Sequence, residues 1–279
     1  MAKNKILVAL AAILVLIPGA ISEYQKLPNG KLQMVFCNVG QGDAAYIKTP
    51  EGQDILIDGG PNNKVLDCLS SHMNFWDRKI ELVVLTHPQS DHVAGLISVL
   101  QNYQVDTFLT GPEGNKTEEW RQIEKIISSQ KQIKIANPSR GDTIKVGSLV
   151  KFISVWPSSE FLADFGPAVL GASTTRDVND FSLVFELNYK DKKALFAGDI
   201  PNSLLSDLDD VDLLKVPHHG SKTGLSKSFF AQTRPEIAVI SVGKNNRFGH
   251  PTKEVLEILD QIGAKVLRTD QDGEVVVEW

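Results

Sequence analysis

The segment from Val83 to Gly95, VVLTHPQSDHVAG, carries residues that could bind a metal ion. His87 and Gln89 stand two positions apart, so in an extended loop their side chains leave the backbone on the same side. Asp91 and His92 follow at the expected start of a helix. His87, Asp91 and His92 can therefore reach one small volume, and imidazole and carboxylate groups are common ligands of divalent cations. A lone histidine is more often a structural residue, but this combination predicts a metal site.

Further ionisable residues follow other strand-like segments. Asp58 comes after ILI, Asp199 after ALFAG, and His218 and His219 after LLKVP. Because loops at one end of the strands converge in layered α/β folds, we expect these side chains to meet the first loop. Asp199 could bridge two cations, since a carboxylate has two oxygens, although Gly-Asp after a strand is most often a turn. His250, in RFGHPT, is expected in a loop just before a helix and would be unremarkable alone.

Short apolar segments bounded by Gly, Pro, Asn or Asp predict the strands that carry these residues. The segments are LQMVFCNV, AAYIKT, DILIDGG, ELVVLTH, SLVKFISVWP, FSLVFELNY, KALFAGDI, DLLKVPHH, IAVISVG and EVVVEW. Thr49-Pro50-Glu51-Gly52 is typical of a hairpin turn. Helical patterns cover residues 63–75, 93–101, 117–129 and 253–262, the last with Thr252 as its N-cap and Gly263 past its end. Hairpins followed by strand–helix alternation predict two mixed sheets with helices on their outer faces.

The first 22 residues differ in character from the rest of the chain. Lys3 and Lys5 precede an apolar run, Ile6–Ile17, which is short for a membrane span and typical of a signal peptide cleaved after Ser22. An uncleaved membrane anchor is the alternative, and in either case we expect the folded part to work outside the cytoplasm. The predicted organisation is a leader at 1–22, a short linker at 23–30 and one domain at 31–279. The segment at 158–179 has little periodicity and could be a lid or an insertion.

Overall charge argues against broad electrostatic binding to nucleic acid. The formal charge is −5, and removing the two leader lysines makes it −7. A local basic patch near the candidate site is one interpretation of the cations that accompany its motifs, and a solvated surface of mixed charge is the other. Those cations are Lys215, Lys222, Lys227, Lys244 and Arg247.

Two cysteines are too few for a disulfide framework or a zinc ribbon. Cys37 falls in a strand pattern and Cys68 in a helical one. We expect two buried thiols, with a single bridge as the alternative if the compartment is oxidising.

The motif THPQSDHVAG resembles the His-x-His-x-Asp-His loop of metallo-β-lactamase-fold hydrolases, with Gln89 in place of the second histidine. More narrowly, NVGQGDAAYIKTPEGQDILIDGG, LTHPQSDHVAGL, NDFSLVFEL, ALFAGDI, LLKVPHHGS and VISVGKNNRFGHP, in this order, resemble the soluble hydrolase domain of the ComEC/Rec2 competence proteins, which take up DNA. The resemblance covers essentially all of residues 31–279. The sequence shows no counterpart of their membrane channel region, so a stand-alone exported version is expected.

This resemblance implies an α/β fold, a four-layer αββα sandwich, and a set of ligands. One metal site would use Asp91, His92, Asp199 and His250, and the other would use His87, Gln89 and Asp199. The histidine that the fold usually supplies before the Gly-Asp is missing, and Asn179 and Ser182 lie in its neighbourhood. One firm divalent ion and a second, weaker one are therefore expected. Manganese or zinc is favoured, and magnesium is a further candidate.

The resemblance also implies catalytic roles. Asp91 would orient a metal-activated water, and His218 or His219 would protonate the leaving group, while Asp43 and Asp58 would orient histidines. The predicted function is a phosphodiesterase or nuclease acting on DNA, with membrane association through residues 1–22 if the leader stays uncleaved. The alternatives are a hydrolase of a small ester, lactone or β-lactam, and a non-catalytic domain that binds metal or nucleic acid.

Overall fold

Two seven-stranded β-sheets form the centre of the fold. The structure, a computed structural model, describes residues 5, 17–163, 170–172, 174–224 and 226–279. The first sheet has the spatial order β14 (Val275–Glu278), β1 (Gln33–Phe36), β2 (Ala45–Lys48), β3 (Asp54–Ile57), β4 (Lys79–Val84), β5 (Gln104–Leu109) and β6 (Lys134–Ala136). The second has the order β13 (Lys265–Arg268), β12 (Ile237–Ile240), β11 (Leu213–Lys215), β10 (Lys192–Phe196), β9 (Val184–Tyr189), β8 (Val150–Trp156) and β7 (Thr143–Val146).

Both sheets are mixed, as the sequence predicted. In the first sheet, β14, β1, β2 and β3 pair antiparallel, and β3 through β6 pair parallel. In the second, β7 through β10 pair antiparallel, and β10 through β13 pair parallel. The predicted hairpin turn joins β2 to β3, where the amide of Gly52 donates to the carbonyl of Thr49 at 3.0 Å. The φ of Gly52 is +92°, which glycine adopts without steric cost.

The helices lie between or after these strands. They are α1 (17–25), α2 (Lys64–His72), α3 (Ser90–Asn102), α4 (Glu118–Ser129), α5 (Ser159–Leu162), α6 (Lys227–Thr233), α7 (Lys253–Gln261) and α8 (Thr269–Asp272), with 3₁₀ turns at Val178–Phe181, Asn202–Leu204 and Pro217–Gly220. The four predicted helices are confirmed, with ends that differ by a few residues. Thr252 occupies the N-cap position of α7, but its hydroxyl donates to the carbonyl of Gly220 at 3.3 Å instead of capping the helix.

Three apolar layers hold the sheets and helices together. Between the sheets, Met34 and Phe36 of β1 pack with Phe196 of β10, while Val35 points the other way, toward the helices. This alternation places one face of each strand against the opposite sheet and the other face against helices. Helices α2 to α4 cover the first sheet and α6 and α7 cover the second. The layers therefore follow the predicted order helix, sheet, sheet, helix.

Helix α1 and the residues just after it are tied to α2 and to the loop that follows α2. The Glu23 carboxylate accepts from the backbone amide of Phe75 at 3.0 Å and from the side chain of Asn74 at 3.1 Å, and Lys26 donates to the carbonyl of Ser70 at 2.9 Å. Residues 1–4 and 6–16 of the predicted leader lie outside the described residues, as do 164–169 and 173 of the aperiodic segment. Within the described part of the chain, no helix has the length and apolar character needed to cross a membrane.

Cys37 and Cys68 form a disulfide between the end of β1 and α2. Their Cα atoms are 5.8 Å apart, within the range that a bridge requires. The expectation of two buried thiols was wrong and the alternative of a single bridge is confirmed. Sequence patterns alone could not decide this, because the approach of the two residues depends on how α2 packs against β1.

Candidate metal centre

The candidate site lies where strands of both sheets end. Asp58 follows β3, His87 follows β4, Asp199 follows β10, and His218 and His219 follow β11. The loop from 243 to 250, which follows β12, closes the same side. The sequence placed ionisable residues after these strands, and the structure brings them together.

Four residues place potential ligand atoms within 4.8 Å of one another, namely Asp91, His92, Asp199 and His219. His92 Nε2 lies 3.4 Å from Asp199 Oδ1, and His219 Nε2 lies 3.3 Å from Asp91 Oδ2 and 3.7 Å from Asp199 Oδ2. His92, Asp199 and His219 are buried, whereas the Asp91 side chain is 32% exposed. The group thus combines a closed interior with one carboxylate open to solvent.

Close packing of α3 on the loop after β3 positions His92. A Cβ on Gly95 of α3 would lie 2.0 Å from the carbonyl oxygen of Gly59, so a larger residue would push the helix away. With the helix this close to the loop, His92 Nδ1 lies 2.8 Å from Asp58 Oδ2. Asp58 also accepts a hydrogen bond from the backbone amide of Thr86 at 2.8 Å. Because Nδ1 is held by Asp58, Nε2 is the nitrogen that faces the ligand group.

His219 is turned inward by an unusual backbone. His218 and His219 have φ of +49° and +53°, in the left-handed region that non-glycine residues rarely adopt. His219 Nδ1 lies 3.0 Å from the carbonyl oxygen of Ser241 and 3.2 Å from Asp43 Oδ1. Asp43 in turn pairs with the buried ammonium of Lys215. His219 is therefore fixed through one ring nitrogen and presents the other, Nε2, to Asp91 and Asp199.

The carboxylates in and around the ligand group raise the pKa of two of its histidines. Burial lowers the pKa of His219, but the carboxylates of Asp199 and Asp43 outweigh it and raise the pKa to about 10. Burial likewise lowers the pKa of His92, and the charges of Asp199 and Asp58 bring it well above its usual value. A bound cation would supply the same positive charge and displace these protons.

Several buried polar atoms at this site have no hydrogen-bond partner. They are His87 Nε2, His92 Nε2, His250 Nδ1 and Asp199 Oδ1. A buried polar atom without a partner is costly and calls for an explanation such as an ion. Burial, followed by the nearby charge of His92, lowers the pKa of His87 to about 3, so its ring is neutral and can act as a ligand. All four atoms belong to residues predicted as ligands, and two of them, on His92 and Asp199, lie in the group of four whose histidine and carboxylate atoms fit a divalent cation.

Gln89 and Asn179 hydrogen-bond to each other. Gln89 Nε2 donates to Asn179 Oδ1 at 2.7 Å, and Asn179 is buried. The nearby Ser182 hydroxyl accepts from the backbone amide of Asp199 at 3.2 Å. Gln89, which stands where the resemblance expects a histidine, is therefore paired with an amide from the neighbourhood of the second missing histidine, while His87 Nε2 and Asp199 Oδ1 have no hydrogen-bond partner.

His250 and His219 occupy different places from those expected. His250 is half-buried and lies outside the group of four, with its ring centroid 5.8 Å from that of His218. His219, expected to be a proton donor, lies within the group. His218 is 28% exposed, and its Nε2 lies 3.9 Å from Asp199 Oδ2. The left-handed turn at 218–219 explains the difference, because it directs one histidine inward and leaves the other toward solvent.

A cavity of about 800 Å³ opens above the site. Gln89, Asp91, Asp199, His218, His219 and His250 line its inner part. Lys64, Lys244, Arg247 and Phe248 line its outer part. Sequence reasoning missed Lys64 and Phe248, which carry no motif of their own.

The structure divides the cations that could form a local basic patch. Lys244 and Arg247 are exposed and line the cavity, but Lys222 and Lys227, although exposed, do not. Lys215 belongs to neither a basic patch nor a solvated surface, because its side chain is buried and paired with Asp43. Lys215 pairs with Asp43, which holds His219, and its ammonium group is not available to a ligand.

The family model described as "Metallo-beta-lactamase superfamily" matches residues 37–244. The chain belongs to the metallo-beta-lactamase superfamily. At 16% identity, this metallo-beta-lactamase chain superposes with a TM-score of 0.54 on Igni18, a novel metallo hydrolase from Ignicoccus hospitalis, covering 88% of this chain and 99% of that one. This likeness shows the fold alone, and it confirms the predicted fold class.

The narrower resemblance is also confirmed. The metallo-beta-lactamase chain is 27% identical over 277 residues to ComE operon protein 3 of Bacillus subtilis (88% of this chain, 32% of that protein). It is 25% identical over 274 residues to Recombination protein 2 of Haemophilus influenzae (95% of this chain, 31% of that protein). The chain thus spans about a third of the length of these relatives. A shorter match, 24% over 99 residues and 36% of either chain, is to exodeoxyribonuclease WalJ of Streptococcus pneumoniae.

Proposed function

We propose that the chain is an exported, metal-dependent phosphodiesterase that acts on DNA. The observation that carries this proposal is the set of unpartnered, buried histidine and aspartate atoms beneath a cavity whose outer part bears cations. Among the described residues, Lys64, Lys244 and Arg247 have no ion pair, so their charges are available to phosphate groups. The similarity to competence proteins and to an exodeoxyribonuclease supports DNA as the substrate.

In this proposal, Asp91, His92, Asp199 and His219 hold one firm divalent ion, with His250 beside them. His87 and Gln89 would contribute to a second, weaker metal-binding site. When bound, such an ion lowers the pKa of a water molecule from about 15.7 toward about 7 and stabilises negative charge on a phosphoryl oxygen. Manganese is favoured because two of the four firm ligands are carboxylates, and zinc and magnesium are the other candidates.

The chain's own residues then orient the reactants. The exposed part of Asp91 can accept a hydrogen bond from the attacking water. His218 faces the cavity and can protonate the leaving oxygen, whereas His219 is buried and held by Ser241 and Asp43. Of the two histidines expected as proton donors, the geometry therefore favours His218.

We also propose that the folded part works outside the cytoplasm, secreted or held at the membrane by residues 1–22. The Cys37–Cys68 disulfide supports this, because disulfides persist in oxidising compartments and are rare in the cytosol. The lysines and apolar run of the leader support it from the sequence.

The test is an assay of the metal-stripped protein with added manganese, magnesium or zinc. The substrates are single- and double-stranded DNA and bis-p-nitrophenyl phosphate. We expect hydrolysis that requires metal and is lost in Asp91→Ala and in Asp199→Ala. The control is Asp260→Ala, which removes an exposed carboxylate at the end of α7.

Two results would contradict the proposal. Folded, metal-loaded protein that hydrolyses no ester would indicate a non-catalytic binding domain. Hydrolysis of lactones or β-lactams without cleavage of any phosphodiester would indicate the small-ester alternative.

A further inference from the structure

Phe248 is a large apolar side chain that the fold leaves exposed beside the metal centre. It is 58% exposed, although it lines the same cavity as Asp91 and Asp199. Its ring lies 6.0 Å from that of His250 with an interplanar angle of 27°, so the two rings are nearly parallel. The His250 ring thus supports Phe248, and more than half of the Phe248 side chain remains exposed.

The loop that carries Phe248 is held by one asparagine. Asn246 Oδ1 accepts from the backbone amides of Phe248 at 3.2 Å and His250 at 3.1 Å. Asn246 Nδ2 donates to the carbonyl oxygens of Gly243 at 3.1 Å and His250 at 2.7 Å. These bonds span the whole turn, so the position of Phe248 is fixed before any ligand arrives.

Cations flank this ring on the cavity wall. The Arg247 guanidinium lies over the Phe248 ring, 5.5 Å from its centroid, in a cation–π contact that a base would have to share or displace, and Lys244 stands three residues before Arg247 on the same loop. Both side chains are exposed, and neither forms an ion pair with any residue that the structure describes. An aromatic ring flanked by unpaired cations is the arrangement that binds single strands, in which a base stacks on the ring and phosphates contact the cations.

From Phe248 a row of rings leads to the metal ligands. Phe248 neighbours His250, the His250 ring lies 5.8 Å from that of His218, and His218 Nε2 lies 3.9 Å from Asp199. A base on Phe248 would therefore lie on the cavity wall that leads to Asp199. In a duplex the bases are already stacked on each other and unavailable, so this surface favours unpaired nucleotides.

We propose that Phe248 is a stacking platform for an unpaired base and that the substrate is single-stranded DNA. This inference rests on the proposed phosphodiesterase function and narrows its substrate. Phe248 acts in binding and in setting the strand's register, and it takes no part in the chemical step.

The test measures binding separately from hydrolysis. A fluorescein-labelled, nuclease-resistant phosphorothioate strand and a matched abasic strand, which keeps the phosphates and lacks the bases, are titrated with the full chain in manganese. Since stacking on an aromatic side chain is worth about 1–3 kcal/mol per base, Phe248→Ala should weaken binding of the normal strand by about 5-fold to about 150-fold. Binding of the abasic strand should change little, and Phe248→Trp should retain affinity for the normal strand.

A matched control is Phe75→Ala, which removes another exposed phenylalanine, 68% exposed and distant from the site, and should alter neither titration. Equal losses for normal and abasic strands in Phe248→Ala, or no loss for either, would overturn the inference. Metal-dependent hydrolysis of bis-p-nitrophenyl phosphate is measured in parallel. Its absence would overturn the proposed function while the titrations still decide the role of Phe248.

Discussion

Three residues that shape the metal centre have left-handed backbone conformations, namely Asp58, His218 and His219. Such conformations cost on the order of 1–3 kcal/mol each for non-glycine residues and concentrate at functional sites. Each one here redirects a side chain at the end of a strand, so that Asp58 meets His92 and His219 meets Asp91. Because these backbone conformations lower the stability of the fold, they support the view that the three residues are placed to bind a ligand.

The sequence predicted which residues could be ligands, but not how neighbouring ones divide the roles. His218 and His219 are adjacent and chemically identical, so no pattern in the sequence separates them. The backbone turn and the carbonyl of Ser241 do so in the structure. Likewise, Gln89 and Asn179 are 90 positions apart, and their hydrogen bond depends on how the two sheets meet.

Gln89→His combined with Asn179→His should raise the metal content of the chain. The double variant replaces a self-paired amide couple by two imidazoles next to His87 and Asp199, which are unpartnered. We expect bound zinc, measured by elemental analysis after dialysis, to rise from about one toward about two ions per chain, as at a site with three histidine ligands.

The control for this experiment is Gln122→His combined with Asn102→His, which adds two imidazoles on exposed helical positions. Unchanged zinc content in a folded Gln89→His and Asn179→His protein would mean that these positions do not face a second metal.

At the scale of elements, the strand ends organise the site and the sequence predicted them well. Alternating or continuous apolar segments bounded by turn residues identify strands. The ionisable residues that follow the strands of the site can be read directly from the sequence. The helix of the opening motif begins at Ser90, earlier than its apolar pattern indicates, which places Asp91 and His92 in the first turn. Polar ligand residues interrupt the apolar period, so the pattern alone begins too late.

Strand β3 offers a test of pH dependence away from the site. Asp54 is buried and accepts a hydrogen bond from the hydroxyl of Tyr46; burial raises its pKa to about 7. A pKa higher in the folded state means that the folded chain binds this proton more tightly. The associated stability is present below about pH 4 and is lost as the pH rises through about 7.

The stability of Asp54→Asn relative to the wild type should therefore increase as the pH rises from 4 to 7, because the wild type alone loses stability when Asp54 ionises. At 1.36 kcal/mol per pKa unit, the difference in the free energy of unfolding should change by roughly 3 kcal/mol across this range. Urea unfolding of both proteins at a series of pH values measures it. Parallel pH profiles for the two proteins would show that Asp54 titrates normally.

At the scale of the whole molecule, three apolar layers predict a single cooperative fold, and the disulfide crosses one of them. Cys37 and Cys68 both lie in the layer between the first sheet and its helices. The sequence predicted the layers through its strand and helix patterns. It left the bridge open, since the distance between two cysteines is a property of the packed fold.

The protein with a reduced disulfide should be less stable than the protein with the disulfide intact. The bridge closes a loop with a sequence separation of 31, for which chain entropy gives about 3–4 kcal/mol. We expect the urea midpoint of the wild type to fall in reductant, and that of Cys37→Ala combined with Cys68→Ala to be low in both conditions. A wild-type midpoint insensitive to reductant, with thiols shown to be free, would contradict this.

The contacts of Glu23 bear on how the protein matures. Glu23 directly follows Ser22, the expected cleavage point; Glu23 binds the loop after α2, and Lys26 binds the carbonyl of Ser70 in α2. Trimming the chain after Ser22 would leave every one of these bonds in place. If the leader is cleaved there, as proposed, a released form and a tethered form would keep the same contacts between this region and α2.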